Sequence, residues 1–134
     1  MNSKFAKWGT VLATVLPTLA FLMAGGAKLS GAEEMVQNFS RYGLPTAFMY
    51  FIGACEVAGA VGLWLTTTVI GPWPLRRLAA LGLAIIMVGA VAMHAVHDPI
   101  MNALPAAILL ALLVFLFRAF GSSSDTVAAI LTAG

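Results

Sequence analysis

The sequence predicts an all-α integral membrane protein, a four-helix bundle with a short amphipathic helix in its first loop. Three observations predict it. Of 134 residues, 61% are hydrophobic and 9% charged, where a soluble domain carries about 25% charged residues. Mean hydropathy is +0.99. Four runs each approach the ~20 apolar residues that a membrane-crossing helix needs. Between them stand the breakers Gly43-Leu44-Pro45, Gly71-Pro72-Trp73-Pro74 and Asp98-Pro99. This composition excludes a soluble enzyme, a disordered chain and a nucleic-acid module. The pI of about 9.0 reflects 7 basic against 5 acidic residues, with the basic ones scattered along the sequence rather than gathered into a nucleic-acid patch. The expected layout is one bundle over residues 1–120 and a flexible tail over 121–134.

The first span is expected at about 8–27. Lys4 and Lys7 before it, and Ala24-Gly25-Gly26-Ala27 at its end, resemble a secretory signal. The apolar run is long enough to span, however, so a retained helix is expected, with a kink at Pro17. In the loop that follows, Ser30-Gly31-Ala32-Glu33 fits a capping box. Met35, Val36, Phe39 and Tyr42 then share one helical face, and Gly43 stops the helix. This segment is either an interfacial connector or a lid over a pocket between the spans. The second span is expected at about 46–65, the third at 75–96 and the fourth at 103–120. The joint Gly121-Ser122-Ser123-Ser124-Asp125 is polar, and the apolar stretch after it is too short to cross a membrane.

Lys and Arg set orientation. Lys4, Lys7, Arg76, Arg77 and Arg118 fall on one side, and Lys28 and Arg41 on the other. Both termini are therefore expected in the cytoplasm. Trp8, Trp64 and Trp73 fall at the same, cytoplasmic ends, where an amphipathic ring favours the interface.

Ionisable groups inside a bilayer are costly, so each one raises a functional question. Lys28, Glu56 and His94 qualify, one on each of the first three spans. Glu56 lies near mid-membrane, with Gly53, Gly59 and Ala60 one turn away, so a helix or a ligand could come close. It is either a paired or protonated structural group or a functional carboxylate. Lys28, with Gly25 one turn before it, either snorkels to the interface or turns inward to Glu56 or an anion. His94 has Ala90 below it and His97 above. It is a packing residue or a proton donor and acceptor. Two histidines and a distant carboxylate do not favour a metal or haem. Glu56 is expected two to three turns deeper than the other two, roughly 10–15 Å along the axis. Cys55 stands alone and can form no intramolecular disulfide.

These residues also carry a resemblance. Gly26-Ala27-Lys28-Leu29, Tyr42-Gly43-Leu44-Pro45, Ile52-Gly53-Ala54-Cys55-Glu56 and Ala90-Val91-Ala92-Met93-His94 resemble, in order and spacing, the DoxX-like membrane proteins. The likeness runs to about Phe120 and implies a four-helix membrane bundle. It also implies varied functions, among them thiosulfate oxidation with quinone as acceptor, oxidant-defence complexes and the maturation of other proteins. Lys28, Glu56 and His94 occupy the family's polar positions. The chain departs from self-contained redox proteins in having neither a cysteine pair nor a cofactor motif.

The leading expectation is a protein of a bacterial inner membrane that binds a lipophilic small molecule such as a quinone between its first three spans. Glu56, His94 and Lys28 would do the chemistry. Gly25, Gly53, Gly59, Ala60, Ala90, Tyr42 and His97 would line the pocket. It would act as a small enzyme or as a subunit associated with an oxidoreductase. The alternatives are a non-catalytic assembly subunit of a larger membrane complex and, third, a small proton-coupled transporter. Besides lipid, the expected partners are a second copy of the chain or a membrane complex.

Overall fold

The computed structural model describes residues 3–65, 69–70 and 73–120. Five helices follow one another: α1 (Ser3–Leu29), α2 (Glu33–Arg41), α3 (Thr46–Gly62), α4 (Leu75–His97) and α5 (Leu104–Ala119). A 3-10 turn, Ile100–Ala103, leads into α5. Strands β1 (Val69–Ile70) and β2 (Trp73–Pro74) pair antiparallel before α4, a feature that the sequence does not announce. The anticipated tail, 121–134, lies outside the described residues.

Three helical stretches are each long and apolar enough to cross a membrane: Lys7–Leu29, Leu75–His97 and Ile100–Ala119. The count reaches four if the bent pair of α2 and α3 is one span, with α3 its apolar limb. The 17 residues of α3 reach about 25 Å at 1.5 Å per residue, a little less than the hydrocarbon core. Apolar Leu44 and Pro45 before it and Leu63, Trp64 and Leu65 after it extend the crossing. Helices α2 and α3 meet at 118°, so α2 lies across the end of the bundle. The protein is an all-α membrane bundle.

Each span buries one stripe and turns the rest outward. On α1 the stripe is Thr14, Pro17, Phe21 and Gly25; on α3 it is Met49, Gly53, Glu56 and Ala60. Ala80, Leu83 and Met87 carry it on α4, and Ala106, Leu113 and Leu116 on α5. Large apolar side chains such as Leu12, Leu19, Ile85 and Phe115 point away from the bundle. Water would penalise such a surface, whereas lipid accepts it. The packing is pairwise: α1 lies chiefly on α3, and α4 on α5.

The α1–α3 crossing is close because glycine meets glycine. A Cβ on Gly25 would sit 2.8 Å from Gly53 O, and one on Gly53 would sit 2.8 Å from Lys28 Cβ. Only small residues let two backbones approach this closely. Lower down, Trp64 Nε1 donates to Thr18 Oγ1 at 2.8 Å, and that hydroxyl donates to Thr14 O at 2.7 Å. Helix α1 continues through Pro17 as a single element.

The α2 helix forms where its apolar periodicity places it, with Met35, Val36 and Phe39 half-buried and Glu33, Glu34 and Gln37 exposed. Its expected capping box does not form. Ala32 is the cap residue, no side chain caps it, and Ser30 Oγ instead donates to Ala27 O at 3.0 Å. Gly31, at φ +69°, turns the chain between α1 and α2, which places Ser30 with the end of α1 rather than the start of α2. Gly43, at φ +75°, ends the segment as its type suggests.

Candidate functional site

The glycine crossing decides where Lys28 goes. It brings the end of α1 against the middle of α3, so the lysine stem folds inward. Lys28 Nζ lies 2.9 Å from Glu56 Oε1, with the side chains 11% and 2% exposed. Glu56 stands in the buried stripe of α3 among Met49, Gly53 and Ala60. Its second oxygen, Oε2, is enclosed and has no hydrogen-bond partner among the described residues. A carboxylate offers about four lone-pair sites, and here a single ammonium contact serves one oxygen. An unserved acceptor in apolar surroundings costs free energy. The enclosed oxygen can take up a proton as it stands, whereas a donor group reaches it only when the enclosure opens.

His94 belongs elsewhere. Its Nδ1 lies 2.7 Å from Asp98 Oδ2, one turn on at i+4. An ionised carboxylate can only accept, so the ring Nδ1 donates to it. Tyr42 donates to the same Oδ2 at 2.7 Å, and its hydroxyl is 3.4 Å from His94 Nδ1. Arg41 pairs with Oδ1 of Asp98 and also donates to Asn38 Oδ1 at 3.3 Å. The Tyr42 ring packs against His97 at 5.3 Å between centroids and edge-on to His94 at 6.2 Å. Arg41 first, then Tyr42 and His94, hold the Asp98 carboxyl well below the usual carboxylate range. Burial, followed by the bond to Asp98, pushes the Tyr42 hydroxyl up.

The candidate residues therefore sort into two clusters. Lys28 and Glu56 form the deep one; Tyr42, His94 and His97 gather around Asp98 at the α2 end. No hydrogen bond or ion pair joins the clusters among the described residues. The small residues have helices for neighbours. Gly25 and Gly53 face each other, Gly59 meets Leu83 of α4, Ala60 lies in the core, and Ala90 packs against it. Among the described residues, no three of His, Cys, Asp and Glu stand where they could share a metal ion.

Along the sequence Asp98 stands out only as half of the breaker Asp98-Pro99, and Arg41 only as one of the charges that set orientation. A signal was present for Asp98, because His94 and Asp98 stand at i, i+4 where a helix ends. None was present for Arg41, which is 57 residues from its partner.

An apolar groove of about 370 Å³ opens between α3 and α4, lined by Phe51, Ile52, Cys55, Gly59, Leu83 and Ile86 among others. Cys55 is half-buried there as a free thiol.

A family model described as the DoxX-like family matches residues 12–116. A Bacillus subtilis (strain 168) protein named "Putative oxidoreductase CatD" is 36% identical over 73 residues. That stretch is 53% of this chain and 54% of the relative, so the match spans about half of each. No solved structure matches the chain.

Proposed function

The chain belongs to the DoxX-like family, and from that premise we propose that it binds a lipophilic ligand of the quinone class and serves an oxidoreductase in the membrane. The carrying observation is the Lys28–Glu56 pair, buried between two spans with Glu56 Oε2 unpartnered. With α1 and α3 parted to admit it, a quinol hydroxyl would donate to that oxygen, and a protonated Glu56 would donate to a quinone carbonyl. Lys28 supplies the positive charge that offsets the carboxylate or a developing oxyanion. Reduction of a quinone takes two electrons and two protons. The sequence holds one cysteine and no cofactor motif, so the electrons come from a partner oxidoreductase, and this chain handles ligand and protons. The name of the Bacillus subtilis relative supports a link to oxidoreductase chemistry. His94, oriented by Asp98, would exchange protons with water at the α2 end.

Charge asymmetry supports a bacterial inner-membrane orientation with both termini in the cytoplasm, because five of the seven Lys and Arg residues fall on that side.

The test is the quinone content of protein purified in mild detergent from native membranes. The wild type should carry quinone above the detergent background. Glu56→Gln should lose most of it, because an amide offers one acceptor oxygen and ends the ion pair. His94→Ala should keep the ligand and slow its turnover in the membrane. Equal quinone content in wild type and Glu56→Gln, or none above background in the wild type, would sink the proposal.

A further inference from the structure

Lys4, Lys7, Arg76, Arg77 and Arg118 lie at the end of the bundle where α1 starts and α5 finishes. The acids of the described residues lie elsewhere. Glu33 and Glu34 are on α2, Glu56 is within α3, and Asp98 follows α4. Two of the cations are held in place. Arg77 Nε donates to Phe117 O at 3.0 Å, and its guanidinium carbon lies 4.3 Å from the Phe117 ring centre and 4.8 Å from that of Trp73. Arg76 lies 4.3 Å above the Phe120 ring. Its Nε is enclosed without an acceptor, and it makes no hydrogen bond or ion pair among the described residues.

Both arginines stand in the first turn of α4, which has no acidic residue and no capping side chain. A helix N-terminus is already positive, so cations there are unfavourable unless an anion joins them. Arg77 offsets part of this by serving a carbonyl in the last turn of α5. Arg76 has no such outlet. Aromatic faces fix both guanidinium groups, so little side-chain entropy is left to lose on binding. The place is a membrane boundary, because α4 and α5 are spans that start and finish there and Trp73 marks the interface.

We propose that this corner, between the first turn of α4 and the last turn of α5, binds the phosphodiester of an anionic phospholipid headgroup. Arg76 and Arg77 present the terminal N–H donors of their guanidinium groups to the phosphate oxygens, and the net charge favours an anionic over a zwitterionic lipid. The outer apolar faces of α4 and α5 receive the acyl chains.

Native mass spectrometry of the full chain in mild detergent tests this, with phosphatidylglycerol, phosphatidylcholine and inorganic phosphate as probes. The wild type should retain phosphatidylglycerol in preference to phosphatidylcholine, and millimolar inorganic phosphate should not displace it. Each of Arg76→Gln and Arg77→Gln should lower retention about fivefold, the worth of one basic residue at an anionic surface. Arg118→Gln removes the same charge from the same end and should lower it less. Arg76→Lys keeps both charge and fold, loses the planar fork, and should fall between wild type and Arg76→Gln. Unchanged retention in folded Arg76→Gln, an equal loss in Arg118→Gln, or equal retention of phosphatidylcholine would overturn the lipid site. Displacement by inorganic phosphate would show a phosphate site with no lipid specificity. If the glutamine variants fail to fold, unchanged retention in Arg76→Lys counts against the site, and reduced retention supports it.

Discussion

At the scale of single residues, the deep pair can be separated into what holds the bundle and what binds a ligand. Lys28→Met strands Glu56 without its cation in an apolar stripe and should cost about 3–5 kcal/mol, read from unfolding in detergent. The double variant Lys28→Met with Glu56→Met replaces both charges by apolar groups of similar length and should recover most of that loss. It should still carry no quinone. A double variant that is stable and keeps its quinone would move the ligand away from this pair. Gly53→Ala is a third probe. Its Cβ would lie 2.8 Å from Lys28 Cβ and 3.0 Å from Gly25 O, so the crossing must open, at about 1–3 kcal/mol. The sequence made Glu56 conspicuous because a carboxylate in an apolar run is conspicuous. It could not show that Lys28 turns inward rather than outward, since both choices fit a lysine at a helix end.

At the scale of elements, α2 is the segment whose role depends on chemistry beyond itself. Its amphipathic face predicts a helix lying flat, and Phe39 packs on Phe48 of α3 at 6.4 Å between centroids. Its far end is tied down by Arg41 and Tyr42, which meet Asp98 after α4. Asp98 has a lowered pKa in the folded protein, so its contribution is fully present above the unfolded value of about 3.9. That contribution is lost as pH falls through the lower, folded value. Amide exchange in α2 should therefore be slow and constant from neutral pH to about pH 5 and rise, relative to its intrinsic rate, in more acid buffer. Asp98→Asn should raise it at every pH, while exchange in α4 above the last turn stays as in the wild type. An α2 that exchanges equally fast with and without Asp98 would show that the tie carries no weight. The capping box failed for a local reason. The left-handed turn at Gly31 leaves Ser30 with α1, and the box needs Ser30 at the start of α2.

At the scale of the whole molecule, charge placement makes orientation testable. In a Cys55→Ala background, a cysteine at Gln37 should react with an impermeant maleimide in intact bacterial cells. A cysteine at Lys7 should react only after lysis. The reverse pattern would invert the bundle and place His94 and Asp98 on the cytoplasmic side. The same division of charge leaves one end of the bundle rich in cations and the other latched by Asp98, so the two ends face different chemistry across one bilayer.

The sequence by itself determined that the protein is an all-α membrane bundle and which polar residues are costly enough to need a reason. These follow from composition and from periodicity along one chain, both local quantities. Only the tertiary structure decided how the polar residues combine. Lys28 went to Glu56, His94 went to Asp98 with Tyr42 and Arg41, and the two groups stayed apart. The reason is physical: partners 28 and 57 residues apart meet by virtue of how closely glycine lets α1 approach α3 and of how α2 folds across the bundle end. Periodicity along a chain carries no measure of either.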